Sequence, residues 1–149
     1  MIDREARNKL TELLRRLVSG QITNYQFGDS FPLNTRDEAC WAVRDQAWML
    51  YDDLSEHRLV GRNAVSKPNK RIVARSILFL YSDLEYEWPV HPCVGLKRLI
   101  AAIFTFGILP RHFDRKWQAA GEFHVWPFIC QNDFEESNNN PKLLRGNGS

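Results

Sequence analysis

The sequence has little of what would name a reaction. Its three cysteines, Cys40, Cys93 and Cys130, are few and odd in number, which argues against a disulfide framework and fits reduced thiols in a cytosol. Its eight glycines are scattered, so no glycine-rich loop is present to cradle a phosphate. No serine lies in a Gly-x-Ser-x-Gly setting, and no flanking signature marks a Cys/His nucleophilic pair. No apolar run reaches the ~20 residues that span a bilayer; "LIAAIFTFGIL" at 99–109 is too short. The opening "MIDREARNKL" is charged and lacks an apolar h-region, so no secretory signal and a cytoplasmic location are expected. A net charge of +2 lacks the basic excess on which general nucleic-acid binding depends.

What is present is helical spacing. Ala6, Leu10, Leu13 and Leu17 are spaced 4, 3, 4, with Leu14 and Val18 widening the stripe and Gly20 as a left-handed stop. The stretch "QITNYQFGDSFPLN" reads as a loop with room for one short helical turn. "TRDE" at 35–38 reads as a capping box with Thr35 as N-cap, and Val43, Ala47, Leu50 and Leu54 come next on one face. Ser66 or Lys67 opens the next helix, with Pro68 in its tolerated first turn. Its stripe is Val73, Ile77, Leu80 and Leu84; one further step reaches Trp88, and Pro89 should end the helix near Glu87. "VGLKRLIAAIFTFGIL" at 94–109 gives a fourth helix and "RHFDRKWQAAG" at 111–121 a short fifth. "EFHVWPFI" alternates weakly and holds a proline, so a minor extended element is expected near 123–128. The expectation is an all-α domain over 1–136, a bundle of four to five helices around one core, with a polar, mobile tail at 137–149.

The densest chemistry is "SDLEYEWPVHPC" at 82–93. On a helix Asp83 and Glu87 share a face while Glu85 points elsewhere; on a strand all three acids come together. The apolar spacing favours the helix. Acids at a helix C-terminus oppose its dipole and cost roughly 0.3–1 kcal/mol each when exposed, and Asp52 and Asp53 repeat the arrangement in the preceding helix. Two readings answer this. Arg75, Lys97, Arg98, Arg111 or Arg115 pairs with the acids internally, or the acids form a surface that docks a basic partner, with Tyr86 as its anchor. Trp88 lies on the apolar stripe and belongs to the core.

Other candidates carry less. His91, Cys93, His112, His124 and Cys130 match no standard zinc spacing, so no metal and no cofactor are expected. A metal-dependent hydrolase or nuclease would enlist Asp83, Glu85 and Glu87 with Lys97. A nucleic-acid binder would use Lys67, Lys70, Arg71 and Arg75, but the wide apolar face of their helix suits core packing better than a groove.

"SDLEYEWP" at 82–89 and "WQAAGEFHVWPF" at 117–128 resemble segments of small bacterial proteins with no established activity. The resemblance implies a bacterial stand-alone domain and assigns no catalytic residue. By analogy, small bacterial domains without an enzyme signature act as immunity proteins, adaptors or inhibitors. The expected function is therefore protein binding, with a basic toxin domain as the partner, no membrane, and Asp52, Asp53, Asp83, Glu85, Tyr86 and Glu87 as the contact residues.

Overall fold

The computed structural model describes residues 1–89 and 108–140, with the backbone alone at 108–111. Among the described residues the chain forms six α-helices and no sheet: α1 (Arg4–Val18), α2 (Asn24–Ser30), α3 (Glu38–Trp48), α4 (Lys67–Tyr81), α5 (Ile108–Gln118) and α6 (Gln131–Asn139). Helix α1 packs on α2, α3 and α4, α3 packs on α4, and α4 packs on α6. The all-α expectation holds. No described helix is long and apolar enough to cross a membrane.

The apolar stripes make the core. Leu10, Leu14 and Leu17 of α1, Val43 of α3 and Phe79 and Leu80 of α4 are buried together with Phe27, Trp88 and Phe128. Local chemistry fixes several helix ends. Asp3 caps α1 by accepting from the Ala6 N–H. Gly20 leaves the helix at φ 71°, where a side chain would also meet Val60. Ser66 caps α4, with Pro68 in its first turn.

Four boundaries differ from expectation. The short turn allowed for after α1 is a full helix, α2, and it carries a genuine capping box between Thr23 and Gln26. Thr35 is not the N-cap of α3. Asp37 is, accepting from Ala39 N–H, while the Thr35 hydroxyl donates to Asp3. Helix α3 stops at Trp48, so Leu54, expected on its stripe, is 94% exposed. Helix α4 stops at Tyr81, not near Glu87.

Beyond the described gap, Ile108 and Leu109 open α5 instead of closing the helix expected over 94–109, whose remaining residues lie outside the described chain. Pro110 lies in the first turn of α5, where its missing N–H costs nothing. Phe123–Val125 form a single 3₁₀ turn, and Trp126 comes after it with ψ 136°. Helix α6 was not foreseen. It carries the chain to Asn139, into the expected tail, and 141–149 lie outside the described residues.

Leu80 has no exposed surface. Leu80→Ala is expected to cost about 2–5 kcal/mol in denaturant unfolding. A loss below about 0.5 kcal/mol, the range of surface changes, would place it outside the core.

Candidate functional site

Segment 82–88 is not the end of a helix. Asp83, Glu85 and Glu87 are exposed, Leu84 and Tyr86 are half-buried, and Trp88 is buried. That in-and-out alternation is the period of an extended chain, so all three acids share the outer side. The Tyr86 ring packs edge-on against Phe79, and its hydroxyl accepts from the Trp126 indole at 3.3 Å. Burial pushes the Tyr86 phenol up to about 12. Trp88 donates to the Phe128 carbonyl and stacks at 4.9 Å on Trp117. Tyr86 is thus inward-facing structure rather than an exposed anchor, and Trp88 is core, as expected.

Two arginines of α1 impose this conformation. Arg4 donates to the Leu80 carbonyl at 2.8 Å and the Ser82 carbonyl at 2.9 Å. Arg7 donates to the carbonyls of Ser82 and Leu84 at 3.2 and 3.0 Å. These acceptors would have been satisfied by amides one turn further on had α4 continued. Leu84 N–H donates instead to the Ser82 hydroxyl. Positive charge at a helix C-terminus is favourable, so the guanidinium groups end α4 and hold segment 82–84 in its extended course.

Arg7 is itself buried, with 1% of its surface exposed. Its Nε donates to Asp37 at 2.6 Å and its Nη2 to the other carboxylate oxygen at 3.2 Å. Burial pushes the Asp37 carboxyl up. Hydrogen bonds from Arg7, Asp3 N–H and Ala39 N–H, with the nearby guanidinium charge, outweigh that and hold it below its ordinary 3.8.

The acids find partners that local sequence did not suggest. Asp83 pairs with Arg4 at 2.6 Å, and Glu85 with the Met1 ammonium at 2.9 Å. Arg75, expected among the partners, instead donates to the His124 carbonyl; Lys97 and Arg98 lie outside the described residues. Both pairs are exposed, so each is worth little, and the carboxylates remain open to solvent. Asp83 also borders a cleft of about 260 Å³ between the end of α4 and α6, with Leu78, Tyr81 and Leu84 beside Asp133 and Glu136. The acids of α6 were missed, although "QNDFEESNN" has three acids and no basic residue.

Asp52 and Asp53 do not join this cleft. They lie in the loop after α3, where Asp52 accepts from Leu54 N–H and Asp53 from the Trp48 indole. Asp53 borders a second cleft, between α2 and α3, that shares no lining residue with the first. Among the described residues no group of three His, Cys, Asp or Glu side chains is placed to hold a metal ion. Asp83, Glu85 and Glu87 are aligned without converging, and a metal-dependent reading gains no support from their geometry. His91 and Cys93 lie outside the described residues; His112 and His124 are exposed. The Cys40 thiol is buried and raised to about 12, by burial first and then by the Asp37 charge, which makes it inert. Comparison with family models, curated proteins and solved structures finds no match.

Removing one partner of a buried pair leaves an uncompensated charge, so Arg7→Met and Asp37→Asn are each expected to cost about 3–5 kcal/mol. A loss under about 1 kcal/mol in chemical unfolding would show the pair to be incidental. The pH dependence has a definite sign. The folded Asp37 value lies below its unfolded one, so its contribution is complete above 3.8 and is lost as pH falls through the folded value. Acid unfolding below that pH should flatten in Asp37→Asn; an unchanged acid profile would assign the transition to other carboxylates.

Proposed function

We propose that the chain is a protein-binding domain whose acidic surface docks a basic partner, in the manner of an immunity protein that neutralises a toxin domain. The observation that carries this reading is the cleft between α4 and α6. Carboxylates of Asp83, Asp133 and Glu136 border a cleft that also has apolar surface from Leu78 and Leu84; Asp83 pairs with Arg4, and among the described residues no basic side chain lines the cleft itself. A lysine or arginine fits such a place, since its aliphatic stem lies along apolar surface while its head meets acid. Glu85 and Glu87 extend the acidic field along the same exposed side of segment 82–88. The segment is held by Arg4, Arg7, Trp88 and Tyr86, so little ordering cost accompanies docking. The bacterial source and the toxin identity rest on analogy with small bacterial domains.

The test is Asp83→Asn, Glu85→Gln and Glu87→Gln together. Exposed pairs contribute little to stability, so the triple variant should melt within a few degrees of wild type. Both proteins are used for capture from the native host, and the captured partner is then purified for stopped-flow association. The variant should associate roughly tenfold more slowly at low salt and lose much of its salt dependence, because such charges act on the encounter rate. Equal association rates for the two proteins would remove this surface from the function.

A further inference from the structure

The cleft between α2 and α3 is separate from the acidic segment and has a different character. Its volume is about 190 Å³, and its lining includes Tyr25, Trp48 and Tyr51 with the carboxylates of Asp29 and Asp53. Tyr25 is 43% exposed and Trp48 46%, so both rings are accessible to solvent. Asn24 shapes the floor. It is 2% exposed, and its amide donates to the carbonyls of Asp52 and Ser55 while its oxygen accepts from His57 N–H. The loop that carries Asp53 is therefore fixed to α2, and the cleft is preformed.

Arg44 is the cation among the residues that line the cleft. It lies 3.9 Å from Asp45, and its guanidinium sits 5.0, 5.4 and 5.3 Å from the ring centres of Phe31, Trp41 and Trp48. This aromatic cluster already holds one guanidinium by its ring faces. Asp29 is exposed and has no ion pair among the described residues, and Asp53 is tied only to neutral groups there, the Trp48 indole among them. Two carboxylates beside open aromatic surface are complementary to a cation.

We propose that this cleft receives one lysine or arginine side chain of the basic partner, as a second contact point distinct from the α4–α6 cleft. The proposal rests on the reading of the protein as a binder of a basic partner. It adds the specificity that ring faces give: they favour a guanidinium stacked on the ring, or an ammonium placed over it, above a simple hydrated cation.

The test uses the whole chain and two small probes, the methylamides of Nα-acetyl-lysine and Nα-acetyl-arginine as chloride salts, monitored by the Trp48 indole N–H resonance. Trp48→Phe assigns that resonance, and circular dichroism confirms that each variant is folded. The expected result is a saturable shift with either probe that sodium chloride at equal ionic strength does not produce. It should weaken at least about fivefold in Asp29→Asn combined with Asp53→Asn, which removes both carboxylates. No saturable shift, or an unaltered one in the double variant, overturns the proposal. A shift with sodium acetate or inorganic phosphate alone also overturns it and makes Arg44 the anchor of an anion site. Saturable probe binding alongside failure of the triple acid variant to slow partner association would leave this cleft standing and remove the α4–α6 surface. The opposite pattern would do the reverse.

Discussion

A guanidinium buried at the junction of three elements holds this structure together. Arg7 leaves α1, meets the carboxylate that caps α3, and takes two carbonyls beyond the end of α4, with its charge 5.5 Å from the centre of the Phe79 ring. Taking a charge out of water costs several kcal/mol, and only an excellent set of partners offsets that cost. Arginine can assemble such a set because its five donors spread in a plane: two face Asp37, and others face the backbone. A lysine at this position could not satisfy a carboxylate and two carbonyls in that geometry. Asp37 is equally committed. It receives Arg7, Asp3 N–H and Ala39 N–H, so the start of α3 and the start of α1 are fixed by the same carboxylate.

The same device recurs elsewhere. Arg58 donates to the carbonyls of Gly20 and Gln21, just past the end of α1, at 2.9 and 2.6 Å. Arg4 performs the corresponding task at the end of α4. Helix C-termini leave carbonyls without intrahelical partners; here guanidinium groups from distant sequence take the Leu80 carbonyl in the last turn of α4 and carbonyls just past the ends of α1 and α4. The end of α4 is therefore a tertiary feature. It requires α1 to pack against α4 before it is stable.

That dependence explains which parts of the structure were legible in the sequence. The apolar stripe of α1, the stop at Gly20 and the start of α4 at Ser66 and Pro68 are local, and all three stand as read. The end of α4 is not local. Leu84 and Trp88 continue the helical spacing and are turned inward, but they reach the interior through an extended chain, because Arg4 and Arg7 hold the carbonyls of Leu80, Ser82 and Leu84. A spacing of four satisfies both a helix and a period of two, so periodicity alone could not separate them. Thr35 was passed over as cap because a neighbouring aspartate had a buried cation to meet. The box in α2 was legible: Thr23 and Gln26 have the required spacing, but the glycine and proline downstream masked it. At the candidate site, the acids at 83, 85 and 87 are exposed while Tyr86, expected as a surface anchor, is half-buried, since residue type says nothing of direction until the period is known.

Reversing that period changes what the acidic segment is. On a helix, Asp83 and Glu87 would oppose the dipole and Glu85 would sit apart; extended, the three acids lie in line, Glu85 and Glu87 lie further beyond the end of α4, and Asp83, two residues past Tyr81, meets the Arg4 guanidinium there. The charges then need no unusual compensation to be tolerated, and the two exposed pairs with Arg4 and Met1 are modest orienting contacts rather than the reason for the acids. Each outward acid alternates with an inward side chain, and the inward rings are seated against Phe79, Trp126, Phe128 or Trp117. A charge on this segment cannot shift along the surface without withdrawing an aromatic ring from the interior. The interior packing thus fixes the spacing of the surface charges, and a partner that meets them meets a rigid pattern.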